Sequence, residues 1–261
     1  MEKKSLVVGN WKMELSHKGE LEVAKTLKKL CKGQDWSHVD AVICPSYPAL
    51  GYIAEELKKE DKIDIGAQHV HWEESGASTG SVSIAQVAPF VQWCIVGHSE
   101  QRKLTGMREE LVGQTVANLL KNGINPIVCI GETKEQKEAD QTIEVVSNQM
   151  RELLRSVNRT MLPKLSVAYE PIWAISSNNP EEPPDPTETA GIMLLLRKLA
   201  SNEYGNEAAE RMKVLYGGSV KANNVDLYVR EPGVDGVLVG SASLHPRDFV
   251  EIINKVKEAN S

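Results

Sequence analysis

The chain has 261 residues, 41% of them hydrophobic and 25% charged, enough apolar mass for a sizeable core. Its formal net charge of -6 argues against nonspecific nucleic-acid binding, so an anionic substrate would need local cations and amide donors. The N-terminal Met1-Glu2-Lys3-Lys4-Ser5 has no apolar signal region and no stretch approaches a membrane span, which points to a cytoplasmic protein without membrane contact.

Short apolar runs, read as buried strands, fall at 6–9, 41–44, 63–67, 93–97, 126–131, 166–170, 214–217 and 236–240. Amphipathic helices are expected between them at 20–30, 49–57, 109–120, 142–157, 186–199 and 247–256, with short third and seventh crossovers. Asp185 reads as an N-cap, with Pro186 in the first helical position. Eight β units, each leading into a crossover, predict an α/β fold: a (β/α)8 barrel as a single domain over residues 1–261. A doubly wound open sheet is the alternative. Against it, no GxGxxG opens the first unit, and no composition break marks a second domain. The four cysteines, Cys31, Cys44, Cys94 and Cys129, lie far apart without a CxxC or Cys/His cluster, so reduced buried thiols are expected and a metal site is not.

In a barrel the C-terminal strand ends carry the chemistry. Here they bring Asn10 and Lys12, then His98 and Glu100, then Glu170, then two glycine-bearing turns at Gly217-Gly218-Ser219 and Gly240-Ser241, onto one rim. Glu170 leaves its strand just before Pro171, which stops the strand. Partly desolvated, a carboxylate there can take a proton from carbon. His98 can polarise a carbonyl and shuttle a proton between neighbouring oxygens. Lys12 supplies fixed positive charge for an enediolate or phosphate, and Asn10 an uncharged donor beside it. Amides of Ser219, Gly240 and Ser241 suit a phosphate cradle. The set fits proton abstraction beside a carbonyl in a small phosphorylated substrate. No cofactor is called for, no metal ligands are present, and no nucleophilic Ser or Cys has a partner.

Five segments carry a family resemblance: Gly9-Asn10-Trp11-Lys12-Met13, Ile95-Val96-Gly97-His98-Ser99-Glu100, Ala168-Tyr169-Glu170-Pro171-Ile172-Trp173-Ala174, Tyr216-Gly217-Gly218-Ser219-Val220 and Leu238-Val239-Gly240-Ser241-Ala242-Ser243-Leu244. Gly66-Ala67-Gln68, Gly76-Ala77-Ser78-Thr79-Gly80 and Cys129-Ile130-Gly131-Glu132 fit in the right order. The chain resembles the triosephosphate isomerase family over essentially its whole length. That family is itself a standard case of a glutamate base, a neutral histidine electrophile and a closing loop. The resemblance implies interconversion of dihydroxyacetone phosphate and glyceraldehyde 3-phosphate, in sugar breakdown or synthesis, through an enediol(ate). Glu170 would be the base, His98 the electrophile, Asn10 and Lys12 substrate contacts, and Glu100 a supporting carboxylate. The amide of Ser176 would join the phosphate site. Pro171, Ile172 and Trp173 match the hinge of the family's lid. The resemblance also implies a homodimer through the loop at 73–83, with Gln68 at its base and Thr79 visiting the partner's site.

The chain departs from the family pattern after Ile175. Ser176-Ser177-Asn178-Asn179 stands where the family has Gly-Thr-Gly-Lys, and the arm up to Pro186 is a few residues longer. Its glycines are gone, and prolines 180, 183, 184 and 186 restrict the far end. A lid over 176–186 with altered opening and closing rates is expected. Ser241 replaces a glycine in the second phosphate turn. Gln101 and Ser81 replace an arginine and a glutamate able to pair across the dimer, and such pairs contribute only about 0–1 kcal/mol. Two other readings remain: a barrel isomerase for a different phosphorylated sugar, and a catalytically idle phosphate-binding homologue.

Overall fold

A computed structural model describes residues 3–57, 62–175 and 183–259. Eight strands form a closed, wholly parallel barrel in chain order: β1 (Ser5–Asn10), β2 (Val39–Cys44), β3 (Ile63–Ala67), β4 (Trp93–Val96), β5 (Asn125–Ile130), β6 (Ser166–Tyr169), β7 (Lys213–Tyr216) and β8 (Gly236–Val239). The ring closes where Leu6 of β1 pairs with Gly236 of β8. Gly236 has φ +149°, and a Cβ there would lie 1.9 Å from the Leu6 carbonyl oxygen, so only glycine fits that seam.

Strand alternation sorts the core into two compartments. Leu6 and Val8 of β1, Cys44, Trp93, Ile95, Cys129 and Leu215 point inward and fill the barrel. Val7, Ile43, Val96 and Val128 point outward and pack under the helices. The helices are α1 (His17–Cys31), α2 (Tyr47–Glu56), α3 (Ile84–Val87), α4 (Ser99–Thr105), α5 (Glu109–Lys121), α6 (Lys134–Glu138), α7 (Thr142–Arg155), α8 (Pro186–Tyr204), α9 (Asn206–Arg211), α10 (Val225–Val229) and α11 (Pro246–Ala259). The third and seventh crossovers hold only the short α3 and α10. All four cysteines are buried thiols. Burial pushes the Cys44 thiol above its ordinary range, as it does those of Cys94 and Cys129.

Asp185 caps α8 through its side chain, which accepts from the Glu188 N–H at 2.9 Å. That helix was expected to end at residue 199 but runs on to Tyr204, where Gly205 at φ +85° ends it. Several strands stop one residue before their expected ends, which leaves Gly97, Glu170, Gly217 and Gly240 in the loops rather than in the ladder. Those residues form the upper rim.

Candidate active site

Two side chains hold the loop after β1 in an unusual backbone conformation. Lys12 has φ +51°, uncommon for a residue with a side chain. Its N–H donates to Asn10 Oδ1 at 3.2 Å, and its carbonyl accepts from Gln68 Nε2 at 2.8 Å. Gln68 also donates to the Cys44 carbonyl at 3.0 Å, so it fastens the ends of β1 and β2 within its own barrel. Held in this way, Lys12 Nζ meets Glu100 Oε1 at 2.7 Å.

His98 ends the β4 loop and caps α4 with its ring. Its Nδ1 accepts from the Glu100 N–H at 3.3 Å. A ring nitrogen that accepts an N–H carries no proton, which leaves the proton on Nε2. That Nε2 lies 3.6 Å from Glu170 Oε2. Glu170 is only 2% exposed, and its Oε1 accepts from the Ser99 N–H at 2.9 Å. Burial first, and then the charge of Glu170, holds the neighbouring Cys129 thiol protonated.

Glu170 depends on Gly131. A Cβ at Gly131 would sit 1.9 Å from the Glu170 carbonyl oxygen, a backbone atom unable to move aside. Gly131→Ala is therefore expected to destabilise the fold by about 1–3 kcal/mol. Chemical denaturation measures this, and an unchanged midpoint would mean that strands β5 and β6 separate more easily than the packing suggests.

Asn10, Lys12, His98 and Glu170 line a cavity of about 220 Å³. Gly217, Gly218, Gly240 and Ser241 line it too, with Ile175, Leu238 and Leu244 supplying apolar wall. Ser219 lies one residue beyond Gly218, its carbonyl accepting from Asn224 Nδ2 at 2.9 Å. Ser176, and the lid expected over 176–186 as far as Glu182, lie outside the described residues. Thr79 is exposed on the loop after β3 and does not line this cavity. That loop is closed by its own contacts, His71 N–H to the Val82 carbonyl at 2.8 Å and Ser78 Oγ to Ser81 Oγ at 2.8 Å. Among the described residues no cluster of His, Cys, Asp or Glu could hold a metal ion.

Glu132, quoted in the sequence only as part of a motif, turns out to organise the segment that follows β6. It is buried, and its carboxylate accepts from Trp173 Nε1 at 2.8 Å and from the Tyr169 hydroxyl at 3.1 Å. Its carbonyl accepts from the Ile172 N–H at 2.9 Å. Lys137 Nζ stands 3.5 Å over the Trp173 ring, a cation–π contact on the other side. Ile172 and Trp173 are thus tied to the β5 exit. The signal available in the sequence was a carboxylate placed directly after a buried strand.

Fold and site together define a class: a (β/α)8-barrel enzyme with a carboxylate, an imidazole and an ammonium gathered at the C-terminal strand ends. The family model for triosephosphate isomerase matches residues 5–256. The triosephosphate isomerase of Clostridium botulinum (strain Loch Maree / Type A3) is 37% identical over 251 residues, covering 96% of this chain and 98% of the relative. That of Carboxydothermus hydrogenoformans is 38% identical over 253 residues, covering 96% and 98%. That of Dictyoglomus thermophilum is 34% identical over 252 residues, covering 96% and 99%. The chain belongs to the triosephosphate isomerase family.

Proposed function

We propose that this chain interconverts dihydroxyacetone phosphate and D-glyceraldehyde 3-phosphate by proton transfer through an enediol(ate). The observation that carries this reading is the approach of Glu170 Oε2 to His98 Nε2, 3.6 Å, on the wall of the cavity that Lys12 and the Gly240-Ser241 turn also line. Glu170 exchanges the Ser99 N–H for the substrate and takes the proton from the carbon beside the carbonyl. The electron pair left behind moves onto the carbonyl oxygen. His98 donates from Nε2 to that oxygen and passes a proton between the two oxygens. Lys12, oriented by Glu100, and Asn10 stabilise the negative charge as it develops. Glu170 then returns its proton to the adjacent carbon, and atoms balance without a cofactor.

Amides of Ser219, Gly240 and Ser241, with that of Ser176, hold the phosphate in this reading. The expected lid with altered rates belongs to it too. Its described far end is anchored, because Pro184 is buried and Asp185 caps α8. A coupled assay with glyceraldehyde 3-phosphate tests the function. Turnover is expected well above background, and background turnover at saturating substrate would leave only an idle homologue or a different sugar.

The working form we propose is a cytoplasmic homodimer, each copy a single barrel domain spanning residues 1–261. Met13 beside Lys12 is 95% exposed, and Thr79 is exposed on its self-closed loop, as expected of surfaces that a second copy covers. Sedimentation at micromolar concentration is expected to give twice the mass of one chain. A stable monomer would contradict the dimer. Among the described residues no helix is long and apolar enough to cross a membrane.

A further inference from the structure

The proton-transfer scheme makes no use of one buried aromatic pair. Tyr216 ends β7 and Tyr228 lies in α10, and both are fully buried. Their rings stack with centroids 4.0 Å apart and planes 18° from parallel. The Tyr228 hydroxyl donates to the Pro184 carbonyl at 2.8 Å. Pro184 immediately precedes Asp185, the cap of α8. Tyr228 therefore joins three elements: α10, the end of β7 and the start of α8.

Tyr216 carries this arrangement to the cavity. Its hydroxyl lies against Tyr228 and the Ser219 backbone but meets no acceptor with hydrogen-bond geometry among the described residues. It packs directly on the next turn, since a Cβ at Gly218 would lie 2.1 Å from the Tyr216 hydroxyl oxygen. Gly217 and Gly218 line the same cavity as Lys12. Burial holds both phenols above their ordinary range, so both hydroxyls keep their protons. A ring wedged under a glycine turn sets where that turn's amides point. A stacked neighbour pinned by one hydrogen bond sets where the ring sits.

We infer that Tyr228 is a positioning residue for the phosphate-side wall. Its bond to Pro184 fixes the stack, the stack fixes Tyr216, and Tyr216 fixes the Gly217-Gly218 turn. The inference rests on the proposed function insofar as it takes that wall to receive the phosphoryl group.

The test compares wild type with Tyr228→Phe and Tyr228→Leu. Phe keeps the ring and removes only the bond to Pro184, while Leu removes the stack as well. Three quantities are read: Kd for inorganic phosphate by calorimetry, KM and kcat with glyceraldehyde 3-phosphate, and Tm. Tyr228→Phe is expected to weaken phosphate binding and raise KM by about three- to tenfold, the worth of one net hydrogen bond, with kcat within about twofold. Tyr228→Leu is expected to exceed that. A lower Tm with phosphate Kd and KM unchanged in Tyr228→Phe would make Tyr228 a residue of the fold alone and overturn the inference. So would a wild type that binds no phosphate. A wild type that binds phosphate but does not turn over the triose overturns the proposed reaction instead, and the Kd comparison still decides the role of Tyr228.

Discussion

Glu170→Gln is expected to lower kcat by about a hundred- to ten-thousand-fold while KM changes little. Glutamine keeps the size of the side chain and an oxygen able to accept from the Ser99 N–H, the contact that Glu170 makes at 2.9 Å. The fold and the cavity therefore persist. What is lost is a group that can take a proton from carbon, since an amide is not a base at neutral pH. In the proposed reaction the phosphate is held at Gly240 and Ser241, which line the same cavity, so its binding is expected to persist. Steady-state kinetics in the coupled assay measure both parameters. A variant that keeps a tenth or more of wild-type kcat would mean that the base lies elsewhere.

Lys12→Met is expected to lower kcat/KM by about a hundred- to a thousandfold, the usual cost of removing a preorganised donor at a developing oxyanion. Methionine is uncharged and one atom shorter than lysine but faces the same backbone requirement at φ +51°, so Asn10 and Gln68 continue to hold the loop. The ion pair with Glu100 disappears, but the Glu100 side chain is 44% exposed and is left in contact with water. Stability is therefore expected to change little, by about 0–1 kcal/mol. A loss in kcat/KM together with an unchanged Tm supports electrostatic catalysis by Lys12. A kcat/KM within tenfold of wild type would show that the ammonium does not act on the reacting atoms.

The barrel was legible because each strand is buried on both faces and reads as a short apolar run. Leu6, Val7 and Val8 show this in β1, where two residues face the barrel interior and one the helices. Helix starts marked by a cap, such as Asp185 before Pro186, were equally visible. Short elements were not. The helices α4 and α6 are shorter than the window in which a helical period can be recognised.

Contacts between distant residues were the other illegible class. Glu20 opens the helix expected at 20–30, where a charged residue suggests solvent. It is instead buried and accepts from the Ser46 N–H at 2.8 Å and the Ser46 hydroxyl at 2.6 Å. Gln68, placed by resemblance at the base of the dimer loop, has an amide that ties the Lys12 and Cys44 carbonyls of its own chain. Glu132 gathers Tyr169 and Trp173 across the β5 and β6 exits. None of these pairings leaves a periodic mark, because each depends on closing the barrel first. At the rim, Asn10, Lys12, His98 and Glu170 could be singled out because each follows a recognisable strand. Their mutual distances became available only with the closed ring.

Turnover in deuterated water tests the central claim most directly. If Glu170 removes a carbon-bound proton to give an enediol(ate), the carboxyl proton exchanges with solvent before it returns. Dihydroxyacetone phosphate converted by the enzyme is then expected to give glyceraldehyde 3-phosphate carrying solvent deuterium on the carbon next to the carbonyl, visible by NMR. Turnover to equilibrium with no deuterium in either triose phosphate would point to direct hydride transfer between the carbons, and would contradict the role assigned to Glu170.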